Sequence, residues 1–200
     1  MSIYNHEEVK KRASLVQRYK TNEIIYQEMD FCDSLGIILS GEVKLTHFTQ
    51  EGKEIVLATL SENHLFGDFL IFSSDPYFPG HLIATKESRV VFINKNNVQY
   101  LIKHYPPFNV YFLSQLSDKA VHLNMHNKLL NLSNLREKIT FYLEKNHSKL
   151  KNHKVFIHNK TRFAQYLNVQ RPSLSRELSA MKKSKIIDYD RNYIWFTSNN

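Results

Sequence analysis

The feature that most constrains the fold is a pair of apolar helical faces within residues 159–183. Phe163 and Leu167 lie on one predicted helix, and Leu174 and Leu178 lie on the next, each pair at helical spacing. Only a short stretch separates the two runs, so the helices must be joined by a tight turn. This arrangement predicts a helix-turn-helix.

The predicted ends of both helices fall on residues suited to them. Asn159 is a good N-cap because its side chain can accept a hydrogen bond from an orphan backbone N–H. Asn168 lies where the first helix must stop, and asparagine tolerates the left-handed conformation that ends helices. The second helix is predicted to begin near Gln170 with Pro172 in its first turn, where proline is tolerated.

The polar face of the second helix carries Arg171, Ser173, Ser175 and Arg176. In a helix-turn-helix the second helix enters the DNA major groove with its N-terminal end first. Arginine can bind the O6 and N7 atoms of guanine together, which contributes roughly 1–3 kcal/mol of discrimination per base. The pattern therefore indicates a recognition helix. The alternative is a solvated helical face in an all-α domain that binds nothing.

The basic charge of the chain is concentrated in its C-terminal third. Residues 1–132 carry 13 Lys and Arg against 14 Asp and Glu, a net charge of −1, whereas residues 133–200 carry 14 against 5, a net charge of +9. A local positive field favours the phosphate backbone, because neutralising phosphates releases counterions. Charge alone is also compatible with a merely soluble basic domain, but here it coincides with the helix pair.

Several classes of protein are excluded or disfavoured by composition. Cys32 is the one cysteine, which rules out an internal disulfide and a four-cysteine iron–sulfur cluster. His122 and His126 lie four residues apart on one predicted helix, but without a third ligand we do not expect a metal site. A haem sensor with histidine ligands stays open. No apolar run is long enough to span a membrane and no signal core begins the chain, so we expect a cytoplasmic protein.

The first hundred residues change from helical to alternating periodicity. Residues 4–18 predict a short amphipathic helix, and from residue 23 onward β-branched and aromatic residues alternate with polar ones. Gly41 and Gly67 mark predicted turns. Many short strands at regular spacing favour a β-sandwich or barrel. The predicted strands are residues 23–26, 36–39, 42–49, 54–60, 82–85 and 89–93.

A family resemblance rests on the order of three motifs in this region. They are SGEVKL at residues 40–45, the EGKE loop at residues 51–54, and Phe66-Gly67-Asp68. Together they resemble the sensor domain of the Crp/Fnr family of bacterial transcription regulators. The resemblance implies an α+β chain with a cyclic-nucleotide-binding-like β-roll (a double-stranded jelly roll) in residues 1–105. A dimerisation helix and hinge in residues 106–132 and a winged helix-turn-helix in residues 133–200 follow.

The resemblance also locates an effector pocket. In members that bind cAMP, a Gly-Glu pair holds the ribose and an Arg-Ser pair clamps the phosphate, whereas this chain has Gly67-Asp68 and then Phe78 and Pro79. A buried phosphate without a cation costs several kcal/mol, so we expect neither cAMP nor cGMP to bind. The candidate pocket residues are Gly67, Asp68, Phe69, Phe78 and His81. They either take a less charged ligand, or the space is filled by Phe69, Phe72, Tyr77 and Phe78; no cofactor is identified.

A heptad pattern runs through residues 107–131 and suits a two-stranded coiled coil. A single helix packed on its own domain can show a similar pattern, but the resemblance favours the family's dimerisation helix. Asn127 on the seam would fix the register of the dimer. Ser133 is the predicted N-cap of the next helix, residues 134–145. The predicted dimer seam comprises Leu113, Leu116, Ala120, Leu123, Asn127 and Leu130.

The chain is predicted to end in a β-hairpin. Residues 185–189 and 193–196 alternate, and a turn at residues 190–192 joins them with Arg191 at its tip. After a helix-turn-helix such a hairpin is a wing, and residues 155–157 predict a third strand beside it.

The resemblance implies a homodimer that reads a palindromic operator in double-stranded DNA and contacts RNA polymerase if it is an activator. Pro172 stands where the cAMP-responsive relative has an acid, so the operator need not match that relative's site. An unknown small-molecule effector is allowed, and no membrane partner is expected. We find no paired nucleophile and base, so an enzyme is not predicted; a protein-interaction module without specific DNA binding is the alternative. The predicted base-reading residues are Arg171, Ser173 and Arg176, and the predicted phosphate contacts are Asn159, Lys160, Thr161, Arg162, Gln170, Ser175 and Arg191.

Overall fold

The computed structural model describes residues 2–147, 154–157 and 159–197. The chain divides into two compact units, Met1–Lys119 and Ala120–Asn200. Each unit has a hydrophobic core of its own. No helix in the described part of the chain is long and apolar enough to cross a bilayer.

The first unit is an antiparallel β-roll with helices at both ends. One four-stranded sheet has the order β1-β8-β3-β6, and the other has the order β2-β7-β4-β5. A 3-10 turn (Ile3–Asn5) precedes the first helix. The elements are α1 (Glu7–Lys10), β1 (Gln17–Tyr19), β2 (Ile24–Tyr26), β3 (Ser34–Ser40), β4 (Glu42–Phe48), β5 (Glu54–Ser61), β6 (Leu65–Phe66), β7 (His81–Ala84), β8 (Ser88–Asn94), α2 (Lys95–His104) and α3 (Pro106–Leu130).

Burial explains why the central strands pair as they do. Strand β3 is buried from Leu35 to Ile38 on both faces, and it pairs with the equally apolar β8, where Ile37 lies opposite Val91. Strand β3 passes to β4 through Gly41, whose φ of +94° favours glycine. The predicted jelly-roll architecture is confirmed.

The predicted helix over residues 4–18 is wrong in extent. Only Glu7–Lys10 is α-helical, and Gln17–Tyr19 is a strand that pairs antiparallel with β8. The strand forms because the outer edge of β8 offers unpaired backbone groups, and this pairing outweighs the local helical pattern. Strand β6 and helix α2 were also not predicted, whereas the six predicted strands are confirmed within two residues at each end.

The second unit is a winged helix-turn-helix, as predicted. The sheet has the order β10-β11-β9, so the third strand lies beside the hairpin. Leu174, Leu178 and Met181 are buried against the rest of this unit's core. Its elements after α3 are α4 (Leu135–His147), β9 (Val155–Phe156), α5 (Lys160–Tyr166), α6 (Arg171–Lys183), β10 (Ile187–Tyr189) and β11 (Tyr193–Phe196).

Helix α3 continues from the first unit into the second, and its predicted seam is divided between burial and exposure. Leu116 packs against the core of the first unit, and Leu130 packs against the core of the second. The side chains of Leu113 and Leu123 are 54% and 61% exposed. Ala120 and Asn127 are exposed as well.

Candidate nucleic-acid interface

Helix α6 presents its arginines to solvent because its opposite face is fixed in the core. Leu174 and Leu178 are completely buried, whereas Arg171 and Arg176 are exposed. Ser173 is half-buried on the first turn. The helix thus offers two guanidinium groups from a rigid element, and it begins at Arg171, which places one of them at the N-terminal end.

The turn geometry that leads into α6 agrees with the sequence prediction. The Asn159 side chain accepts a hydrogen bond from the Arg162 backbone N–H at 2.9 Å and caps α5. Asn168 adopts φ +54°, which ends α5 and redirects the chain. Pro172 lies in the first turn of α6, where it disturbs no helical hydrogen bond.

The starts of α5 and α6 and the tip of the wing line one groove of about 490 Å³. Of the ten residues predicted to contact DNA, this groove brings five together; the other five lie on or beside α5 and α6, outside its lining. Cationic side chains with hydroxyl and amide groups suit a phosphate backbone. The groove is lined by Asn159, Lys160, Thr161, Arg171, Tyr189, Asp190 and Arg191.

Tyr189 attaches the wing to both helices, a role that the sequence analysis missed. Its ring lies 4.3 Å from the Lys160 Nζ and 5.4 Å from the Lys182 Nζ, and its hydroxyl is 3.3 Å from the Ser179 Oγ. Lys182 of α6 also forms an ion pair with Asp188, which lies on the same strand as Tyr189. The available signal was strand alternation, which puts Tyr189 on the same face as Ile187, a buried residue.

Two acidic residues near the basic surface are occupied by structural contacts. Glu177, next to Arg176, accepts a hydrogen bond from the Arg136 Nε at 2.7 Å. Asp190 in the groove accepts from the backbone N–H groups of Asn192 and Tyr193, each at 2.8 Å, and so closes the wing turn. Both carboxylates therefore have structural roles within the winged helix.

In the roll, the predicted effector carboxylate is already paired. The Asp68 side chain is 0% exposed, and its two oxygens lie 2.6 and 2.8 Å from the Lys119 Nζ of α3. The same ammonium donates to the Leu65 carbonyl at 2.8 Å. The sequence analysis treated Asp68 as a pocket residue and did not foresee its partner, because 51 residues separate them in the chain.

The interior of the roll beside Gly67 is filled by aromatic rings, but mostly not by the predicted ones. Phe78 is buried and stacks on Tyr26 with ring centroids 4.3 Å apart, and Phe66 and Phe92 pack edge-on around Tyr26. The prediction that Phe69, Phe72 and Tyr77 fill this space is wrong, because all three are substantially exposed. Instead, Tyr77 packs edge-on against Phe31, and Phe72 packs edge-on against Phe112.

Comparison with known proteins places the first unit in a family. Residues 16–105 match the cyclic nucleotide-binding domain family. The chain is 25% identical over 114 residues to the Global nitrogen regulator of Nostoc sp. (strain PCC 7120 / SAG 25.82 / UTEX 2576), covering 56% of this chain and 50% of that protein. It thus spans about half the length of the curated relatives that it matches.

Solved structures extend the likeness across both units. A CooA variant from Carboxydothermus hydrogenoformans superposes with a TM-score of 0.75 at 20% identity, covering 98% of this chain and 90% of that one. CprK complexed with OCPA gives a TM-score of 0.77 at 14% identity, covering 98% and 94%. The chain has the fold of the Crp/Fnr regulators, from the roll through α3 to the winged helix.

His81 contacts Glu28 and Phe48. Its Nδ1 accepts a hydrogen bond from the Glu28 backbone N–H at 3.3 Å, and its ring packs near Phe48. Phe78, by contrast, does reach Gly67: its Cζ is 3.9 Å from the position that a Cβ on Gly67 would occupy. The structure therefore unites Gly67 with Phe78 and Asp68 with Lys119, and it separates His81 from them.

The thiol and one of the two histidines, His126, also take structural positions. Cys32 is buried with its Sγ 3.5 Å from the Ser34 carbonyl, and burial raises the pKa of its thiol to about 11, so the reactive thiolate is scarce at neutral pH. His126 packs against the Tyr166 ring at 4.8 Å, and burial lowers its pKa. Within the described residues no group of three metal-ligating side chains is assembled.

Proposed function

We propose that this chain is a dimeric, sequence-specific DNA-binding transcription regulator of the Crp/Fnr type. The observation that carries the proposal is the exposed pair Arg171 and Arg176 on α6, above a core that fixes the helix, beside a cationic groove. We assign residues 1–105 to the sensor, 106–132 to the dimer helix and hinge, and 133–200 to DNA binding.

Recognition divides into base contacts and backbone contacts. With α6 in the major groove, Arg171 and Arg176 donate to guanine O6 and N7, and Ser173 lies between them on the same helix. Lys160 and Arg191 on the two sides of the groove bind phosphates and set the orientation of the helix. The net charge of +9 in residues 133–200 supplies affinity that falls as salt rises.

The exposed apolar side chains of α3 support the dimer. Leu113 and Leu123 are more than half exposed, and Ala120 lies between them at heptad spacing. A second copy of the helix would bury them. A two-fold dimer then presents two recognition helices to an inverted repeat with half-sites about one helical turn apart, roughly 34 Å.

The signal that controls this regulator is proposed to be something other than cAMP. Phe78 and Pro79 occupy the positions where the family's phosphate clamp would stand, and neither supplies a cation. The space beside Gly67 holds packed rings. RNA polymerase is the expected protein partner if the outcome is activation.

Selection from a random pool of duplex DNA with the purified chain tests the function. We expect an enriched inverted repeat that contains guanines in each half-site, since arginine prefers guanine. A pool that stays random after several rounds, with the protein folded and dimeric, would instead support a protein-interaction module.

Substituting the exposed seam should convert the dimer to a monomer. We expect Leu113→Lys with Leu123→Lys to place unpaired charges at the helix contact, and to weaken dimerisation by at least about 100-fold, the equivalent of a few kcal/mol. Analytical ultracentrifugation across a concentration series measures the change.

Val121→Lys is the matched control for the seam. Val121 is also on α3 and is 56% exposed, but it lies outside the predicted seam. It should leave the dimer intact. Equal dissociation by Val121→Lys would show that the register assigned to the helix pair is wrong.

A further inference from the structure

The ion pair between Asp68 and Lys119 is largely enclosed within the first unit. The Asp68 side chain is fully buried and that of Lys119 is only 29% exposed. The Lys119 ammonium has three donors, and three oxygen atoms lie within hydrogen-bond distance of it: both Asp68 oxygens and the Leu65 carbonyl. The ammonium is therefore held between the Asp68 carboxylate and the Leu65 carbonyl.

The pair lies beside the turn at Gly67, next to the packed aromatic rings of the roll. Asp68 follows Gly67, whose φ is +75° and whose missing Cβ leaves Phe78 in contact with the turn. Phe78 stacks on Tyr26 and closes the interior. One side chain of α3 therefore holds the carboxylate, and aromatic side chains of the roll fill the neighbouring space.

We propose that Lys119 is an internal substitute for a ligand, a positioning residue that fastens α3 to the Gly67-Asp68 turn. Because a buried carboxylate is strongly unfavourable without a partner, Asp68 keeps Lys119 in place, and Lys119 keeps this part of α3 on the roll. Helix α3 continues beyond Lys119 to Leu130, within the second unit. The roll thus orders the dimer helix without an effector. The consequence for DNA binding rests on the proposed function.

The test uses the full-length chain and removes the pair without leaving a buried charge. Lys119→Met alone leaves the Asp68 carboxylate buried without a partner, and the protein can then fail to fold. The informative variant is therefore Asp68→Asn with Lys119→Met. Lys119→Arg is the conservative rescue, because it keeps a cation that can bind a carboxylate. Lys103→Met is the matched control, since Lys103 is an exposed lysine on the neighbouring helix α2.

Hydrogen exchange of α3 is the first readout, and it does not depend on DNA. In the double variant we expect amides around Lys119 to exchange about tenfold faster, because the ion pair no longer opposes local opening of the helix. Lys119→Arg and Lys103→Met should exchange like the wild-type chain. Unchanged exchange in a folded double variant would overturn the proposal.

Operator affinity is the second readout, measured on the sequence that selection yields. We expect the double variant to bind at least about fivefold more weakly, the lower end of typical coupling between sites, while the arginine variant binds normally. Wild-type affinity in the double variant would show that the pair is only structural. Failure to select any operator would count against the proposed function alone, because hydrogen exchange still tests whether the ion pair holds α3 to the roll.

Nucleotide titration supplies a third readout. Millimolar cAMP or cGMP should not change the melting temperature of the wild-type chain, because the ion pair and the packed rings occupy the site. A clear rise in the melting temperature would mean that the roll accepts a ligand, and it would overturn the proposal.

Discussion

Replacing Arg171 and Arg176 together by alanine is expected to abolish specific operator binding while the protein stays folded and dimeric. Both side chains are exposed on α6, so their loss removes no core contact. If each reads one guanine at roughly 1–3 kcal/mol, the two together contribute roughly 2–6 kcal/mol, or about a 30- to 20,000-fold loss in affinity. Gel-shift or anisotropy titrations at fixed salt would measure the loss against operator and scrambled duplexes.

A charge-matched control separates base reading from electrostatics. Arg18 and Arg89 are exposed and lie opposite each other across β1 and β8 of the roll. Replacing both by alanine removes the same +2 charge outside the predicted DNA-binding unit, and operator affinity should change by less than about threefold, since exposed charges are screened by salt. Equal losses from the two double variants would contradict direct readout by α6.

Gly41→Ala is expected to destabilise the roll strongly. Gly41 has φ +94°, which costs an alanine roughly 1–3 kcal/mol. The added Cβ would also lie 2.5 Å from the Glu87 carbonyl oxygen and 2.7 Å from the Ser88 Cα, both backbone atoms that cannot rotate away. Overpacking of this kind adds roughly 1–3 kcal/mol. We therefore expect a loss of roughly 2–6 kcal/mol in the free energy of unfolding.

Gly52→Ala isolates the backbone cost from the steric one. Gly52 has φ +75°, but a Cβ there would meet nothing within 4 Å. Reduced entropy of the unfolded chain offsets part of the strain, so a loss of about 1 kcal/mol is expected. Urea denaturation followed by circular dichroism compares the two variants. Similar losses from both would show that the contact with Glu87 and Ser88 is not limiting.

The chain has a single tryptophan. The same denaturation experiment can therefore test whether Gly41→Ala destabilises the roll and not the second unit. Trp195 lies on β11 of the second unit, so its fluorescence reports that unit. If the units unfold separately, Gly41→Ala shifts the transition seen by circular dichroism and leaves the fluorescence transition in place. A shift of both transitions together would indicate cooperative unfolding of the whole chain.

Local chemistry was enough to predict the helix-turn-helix and the central strands. Asn159, Asn168 and Pro172 each act through their nearest neighbours in the chain, as a cap, a left-handed stop and a first-turn residue. Their roles can therefore be predicted from short segments of the sequence. The strands β3, β4 and β5 were similarly evident, because alternation and turn residues are local signals.

Prediction failed where a distant element changed the outcome. The residues before β1 carry a helical pattern, yet Gln17–Tyr19 became a strand because β8, about 70 residues later, had an open edge. Phe69, Phe72 and Tyr77 are aromatic residues of the kind found in protein cores, yet Tyr26 and Phe66 pack in the interior of the roll. Hydrophobicity shows that a ring is suited to burial, but it does not show which rings reach the same space.

The sequence by itself predicted a β-sandwich or barrel, a long helix with a heptad pattern and a basic winged helix with Arg171 and Arg176 on its second helix, and the resemblance to a known family specified the β-roll. Periodicity, capping residues and charge distribution are properties of contiguous segments, so they can be recognised from the sequence alone. Only the tertiary structure decided that Lys119 binds Asp68 and that Tyr189 holds the wing to Lys160 and Ser179. These contacts join residues far apart in the chain, and their energies arise from burial and distance, which no local pattern encodes.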